Sequence, residues 1–132
     1  MGDAVRAAQL SPGTASVLWT DLGDVTADPP LLSDAERGRA AAMAPEVADH
    51  WVSTRTWVRR TLGRTLDVDP ASLDITADAQ GRPTLPGRPD VHLSVSHCRQ
   101  VVALALAAAP LGVDVEDLPG PRVDLEIGRA HV

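Results

Sequence analysis

The sequence predicts an α+β domain in which helices pack on a mainly antiparallel sheet. One observation is a β-prone stretch, Ala15 to Asp21, ahead of any helical segment. Another is a long segment, Glu46 to Leu66, whose apolar residues recur at helical spacing. Beyond it, short apolar strands follow one another, separated only by turn residues. Strands grouped together, instead of alternating with helices, favour antiparallel neighbours over a parallel doubly wound sheet.

Each element has a local reason. ASVLWTD at Ala15 to Asp21 is apolar and β-prone, and Asp28, Pro29 and Pro30 break the chain after it. Ser33 with Glu36 three residues later is a capping box, so a short helix is expected to about Met43. Pro45 ends that helix and is suited to the first turn of the next. On the long helix, Val47, Trp51, Val58 and Leu62 fall on one face, and Arg55, Arg59 and Arg64 on other parts of its surface. The helix is expected to stop near Asp67, before Asp69-Pro70. Ala71 to Ala77 reads as a strand. Gln80 to Pro83 reads as a turn leading into Thr84 and Leu85. Val91 to Ser96 alternates, with Val91, Leu93 and Val95 on one side. Val101 to Ala107 is a nearly continuous apolar run, expected to be a buried strand, and Leu111 to Glu116 is a further short strand.

With 132 residues and 44% hydrophobic content, the chain suits one compact core. It contains no apolar run of about eighteen residues, the length of a membrane-spanning helix. Met1, Gly2 and Asp3 open no secretory signal, and the single Cys98 allows no intrachain disulfide, so a cytoplasmic protein is expected. The net charge of −6 argues against non-specific nucleic-acid binding. All twelve basic residues are Arg, and Lys, Asn, Tyr and Phe are absent, as a GC-rich genome would give. EIGRAHV, from Glu126 to Val132, is the in-frame translation of a common sequencing adapter. The native sequence is therefore expected to end at about Leu125.

Several residues could carry chemistry. Asp114 and Glu116 stand at i and i+2 of a predicted strand, so both carboxylates point to one side. Two hard oxygen ligands at that spacing suit Mg²⁺, and the same pair also suits a solvated strand end. Ser96-His97 ends the alternating strand. A histidine there could bind phosphate, shuttle a proton, or simply hydrogen-bond at a strand end. Arg82, on the Gly81-Arg82-Pro83 turn, offers a planar fork of donors to a phosphate or to water. Arg55 and Arg59 could face a ligand or solubilise the helix. Cys98 reads as a packed small residue. No zinc-ligand spacing, P-loop or G-x-G-x-x-G is present.

The order of these signals is more informative than any one of them. L-S-D-A-E-R, a helix with R-R-T-L-G, G-R-P-T-L, L-S-V-S-H and L-G-V-D-V-E follow in series between Leu32 and Glu116. This series resembles the 4'-phosphopantetheinyl transferase superfamily, in its larger monomeric type. The resemblance implies one half of a two-lobed, pseudo-dimeric α+β fold with coenzyme A in the cleft. Residues 1–110 would form the N-terminal lobe and 111–125 the start of a truncated C-terminal lobe, with 126–132 adapter read-through. The implied reaction moves phosphopantetheine from coenzyme A to a serine of an acyl or peptidyl carrier protein, in fatty acid or secondary metabolism. Asp114 and Glu116 would hold Mg²⁺, His97 with Ser96 would contact the coenzyme A phosphates, and Arg82 and Arg39 would be further basic ligands. The family also carries a later W-x-x-K-E motif that these residues do not include. The 132-residue chain is therefore expected to be an inactive fragment. The alternative is a non-catalytic module that binds coenzyme A or another phosphorylated ligand. No nucleic-acid or membrane partner is expected.

Overall fold

The structure is a computed structural model and describes residues 14–117 and 121–127, with side chains through Glu116. Met1 to Asp3, residues 128–132 of the tail and the side chain of Asp117 lie outside the described residues. The elements are β1 (Ala15–Asp21), α1 (Asp34–Ala41), α2 (Pro45–Leu66), β2 (Thr76–Ala77), β3 (Pro83–Thr84), β4 (His92–Cys98), β5 (Val101–Ala107), β6 (Leu111–Asp117) and β7 (Pro121–Ile127). Three strands form the main sheet in the order β1-β5-β4, antiparallel throughout. β2-β3 and β6-β7 are separate antiparallel pairs. The mixed helix and antiparallel sheet agree with the α+β expectation. No helix among the described residues is long and apolar enough to cross a membrane.

β5 is the central strand and explains the layering. Val102 through Ala107 are all buried, so both faces of β5 are covered. Leu104 and Leu106 meet Val58, Leu62 and Leu66 of α2, together with Leu85, Val91 and Leu93. Fully burying each such side chain contributes about 1.5–3 kcal/mol. On the opposite face, Ala103 and Ala105 pack against Val113 and Val115 of β6. Alanines there let the β6-β7 hairpin approach the sheet closely. Cys98 packs into the same cluster as a free thiol. A continuous apolar run is what a strand covered on both faces requires.

The helices begin as expected. The Ser33 hydroxyl accepts from the Glu36 N–H, and the Glu36 carboxylate accepts from the Ser33 N–H, completing the capping box. Pro45 stands in the first turn of α2, and Asp67 ends it in a left-handed conformation at φ 56°. α1 stops at Ala41, two residues short of the expected end.

Two expectations for α2 are corrected. Val47 is 58% exposed, because the buried stripe lies in the C-terminal half of the helix and its first turns overhang the core. Arg59 does not lie on the surface: it is fully buried. Its Nε donates to Glu36 Oε1 at 2.8 Å, and its Nη1 donates to the carbonyls of Pro70 and Leu73, each at 2.8 Å.

The same contacts correct the strand expected from Ala71 to Ala77. Within this stretch the Leu73 carbonyl bonds to Arg59 instead of a strand partner, as does that of Pro70 just before it. Pro70–Ser72 forms a 3₁₀ turn capped by Asp69, and only Thr76–Ala77 pairs, with β3. The loop crosses α2 at Gly63, where an added Cβ would lie 2.6 Å from Pro70 Cγ and 2.9 Å from the Val68 carbonyl oxygen.

Glu36→Ala should leave the Arg59 guanidinium buried without its counter-charge and lower the unfolding free energy by about 3–5 kcal/mol. Urea unfolding checks this, and an unchanged midpoint would refute it. Gly63→Ala should cost about 1–3 kcal/mol in the same assay, because the loop must shift away from the new methyl.

Candidate functional site

β4 distributes its side chains by alternation. Leu93 and Val95 turn toward α2, while Ser94 and Ser96 turn toward β6. Ser94 Oγ accepts from the Val113 N–H at 3.1 Å, and Ser96 Oγ accepts from the Val115 N–H at 3.3 Å. Two serine hydroxyls thus stand in for ladder partners and hold β6 beside β4. Ser96 Oγ also donates to Asp114 Oδ1 at 3.2 Å, and the Val115 N–H donates to that same oxygen at 3.0 Å. The S-H strand and the D-x-E strand therefore meet at Ser96 and Asp114.

Asp114 and Glu116 are exposed while Val113 and Val115 are buried, so both carboxylates share the outer face of β6. Neither is ion-paired among the described residues. Asp114 Oδ2 and both Glu116 oxygens make no hydrogen bond there either. No group of three or more His, Cys, Asp or Glu able to hold a metal is gathered among the described residues.

His97 leaves β4 on the side opposite Ser96 and meets α2. Its ring centroid lies 4.8 Å from that of His50, with the planes tilted by 59°. Burial holds the His97 imidazole below its ordinary value of 6.5, and nearby His50 pushes the same way.

A second group of residues forms where α1, α2 and the β2-β3 hairpin converge. Arg39 and Arg55 both stack on Trp51, with guanidinium carbons 5.2 and 5.0 Å from the ring centroid. They line a cavity of about 270 Å³ with Glu36, Ile75, Thr76, Gly81 and Pro83. Glu36 is the counter-charge: Arg59 takes its Oε1, and Arg55 Nε lies 3.4 Å from its Oε2. That second oxygen makes no hydrogen bond, so the Arg55 contact is electrostatic and loosely aligned. Burial lowers the Arg55 pKa; Glu36 opposes that shift, while Arg39 and Arg59 add to it. One carboxylate facing three guanidiniums leaves the cavity with a positive surplus, which suits an anionic ligand.

Arg82 is placed differently. Gly81, at φ 83°, forms the turn that the sequence predicts. Gly81 and Pro83 line the Arg39 cavity, but Arg82 lines a neighbouring cavity of about 380 Å³ with His92 and Ser94. Its Nε is paired with Asp78 at 3.0 Å, and its side chain is largely exposed. The sequence-derived set is thus brought together in parts: Ser96 with Asp114, and Arg39 with the turn. Sequence reasoning missed His50 outright. It gave Trp51 and Arg55 no joint role, although their i, i+4 spacing on α2 places them side by side on one helix face and would have been a usable signal.

No protein-family model matches the chain. The chain is 26% identical over 68 residues to a 4'-phosphopantetheinyl transferase of Bacillus subtilis, covering 52% of this chain and 30% of that protein. It is 30% identical over 59 residues to 4'-phosphopantetheinyl transferase Sfp of Bacillus subtilis strain 168, covering 45% of this chain and 26% of that protein. These similarities support the 4'-phosphopantetheinyl transferase superfamily. The matched stretch spans less than a third of either relative's length.

The lowered His97 pKa has a consequence for stability. Just below pH 6.5 the unfolded chain binds a proton that folded His97 does not, so stability should fall as pH drops through that range. It should be fully present above the ordinary imidazole value. His97→Gln should flatten the stability profile between about pH 5.5 and 7, measured by thermal unfolding. An unchanged slope would overturn the lowered His97 pKa.

Proposed function

We propose that this chain supplies the coenzyme A-gripping part of a 4'-phosphopantetheinyl transferase of the larger monomeric type. The reaction transfers phosphopantetheine from coenzyme A to a serine of an acyl or peptidyl carrier protein. The observation that carries the proposal is the 3.2 Å contact between Ser96 and Asp114. It joins the two motif strands on which the family resemblance rests, and the names of the two relatives agree with it.

Asp114 and Glu116 would hold Mg²⁺. The fit is chemical: carboxylate oxygens on one exposed strand face, unpaired with any cation among the described residues, are hard donors with room for water and phosphate oxygens. When bound, the ion supplies charge neutralisation at the pyrophosphate. Ser96 keeps Asp114 oriented through its hydroxyl. His97 donates one N–H to a phosphate oxygen. Arg39 and Arg55, pre-stacked on Trp51, receive the remaining anionic groups of the nucleotide, and Arg82 stands at the rim. The carrier serine oxygen forms a bond to the β-phosphorus, its proton passes to water, and the bond from that phosphorus to the bridging oxygen breaks, so that 3',5'-ADP leaves with the oxygen and its electron pair.

The test uses the protein that carries this chain, with coenzyme A, Mg²⁺ and an apo carrier protein. Mass spectrometry should show the carrier gaining one phosphopantetheine. Asp114→Ala should reduce that rate by at least about 100-fold, because the metal then lacks a ligand. Undiminished Mg²⁺-dependent transfer by the variant would overturn the site. Tight coenzyme A binding without any transfer would instead favour a binding module.

A further inference from the structure

We propose that His50 positions His97 by clamping the two-residue turn that follows the His97 strand. The functional consequence rests on the reading of His97 as a phosphate contact; the clamp itself does not. His50 projects from α2 onto the end of the β4-β5 hairpin, half-buried. Its Nε2 lies 3.0 Å from the carbonyl oxygen of Arg99. A carbonyl only accepts, so Nε2 carries the hydrogen of this contact. The same ring packs against His97 at 4.8 Å.

The turn needs such a clamp. Arg99 and Gln100 connect Cys98 to Val101, which pair directly. Arg99 has φ 56°, a left-handed conformation that side-chain-bearing residues rarely adopt. Such a conformation persists only where its surroundings over-determine it. Both carbonyls of the turn are held from outside the hairpin: that of Arg99 by His50, and that of Gln100 by the Leu22 N–H at 2.6 Å. His97 lies two residues before Arg99, so its ring orientation follows the turn. His50 is thus a positioning residue, linking α2 to the imidazole that faces the ligand.

Two variants of the protein that carries this chain separate the clamp from the ring contact. His50→Phe keeps a ring beside His97 but has no donor. His50→Gln keeps an N–H donor but has no ring. Losing one hydrogen bond should speed hydrogen exchange of the Leu22 amide about five-fold in His50→Phe, and His50→Gln should stay within about two-fold of wild type. With Mg²⁺ present, calorimetry should show coenzyme A binding weakened about five-fold in His50→Phe and largely restored in His50→Gln. Unchanged Leu22 exchange in His50→Phe, or equal damage in both variants, would overturn the clamp. Should His50→Phe fail to fold, the imidazole nitrogen spectrum of the wild type decides. An Nε2–H tautomer at His50 supports the proposal and an Nδ1–H tautomer refutes it. If wild type binds no coenzyme A while the exchange pattern holds, the clamp stands and the coenzyme A reading fails.

Discussion

Glu36 is tied to three parts of the chain at once. Its Oε1 accepts from the Ser33 N–H to start α1 and from Arg59 Nε inside α2, while its Oε2 faces Arg55 beside the Arg39 cavity. Arg59 then passes the connection onward to the carbonyls of Pro70 and Leu73. A guanidinium with no solvent exposure is tolerated only because this carboxylate and these carbonyls replace its water. The chain of contacts fixes α1 against α2 and draws the following loop across Gly63. It also sets the position of the β2-β3 hairpin, and so the walls of the Arg39 cavity. Such a buried pair costs desolvation on both sides, so its effect is chiefly to specify one arrangement of these segments.

The second organising constraint is the thinness of one face of β5. Ala103 and Ala105 give the β6-β7 hairpin room to lie on the sheet, while Leu104 and Leu106 fill the space toward α2. Alternation along one strand thereby builds two different layers. β6 is attached to β4 through serine hydroxyls accepting backbone N–H groups, not through a regular ladder. This is why the small polar residues of L-S-V-S-H matter. A larger side chain at Ser94 or Ser96 would hold β6 away, and Asp114 would no longer reach β4.

Charge is distributed against the average. The whole chain carries −6, yet Arg55 and Arg59 converge on a single Glu36, and Arg39 lines the same cavity. The indole of Trp51 takes Arg39 and Arg55 onto one ring system, at 5.2 and 5.0 Å from its centroid. An acidic protein can in this way present a locally basic pocket, since screening confines each field to about 8–10 Å at physiological salt.

Much of this was legible in the residues themselves. The bounds of β1, the capping box at Ser33, the Pro45 start of α2, the turn at Gly81 and the buried β5 all follow from local chemistry: strand-prone side chains, a capping hydroxyl, a fixed proline φ and a glycine free of Cβ. The same-side placement of Asp114 and Glu116 follows from strand alternation alone. The burial of Arg59, the loss of the strand at Ala71 to Ala77 and the meeting of His50 with His97 did not follow. Helical and strand periods place a residue on a face, but they do not say which face another segment will cover. Arg59 looks like a surface residue until Glu36, 23 positions earlier, is folded onto it. His50 has no local signature, because its partner is a carbonyl 49 positions away. The sequence by itself determined most of the elements and the order of the candidate ligands. Only the tertiary structure decided which of them meet, because buried polar groups must find partners and those partners are distant in the chain.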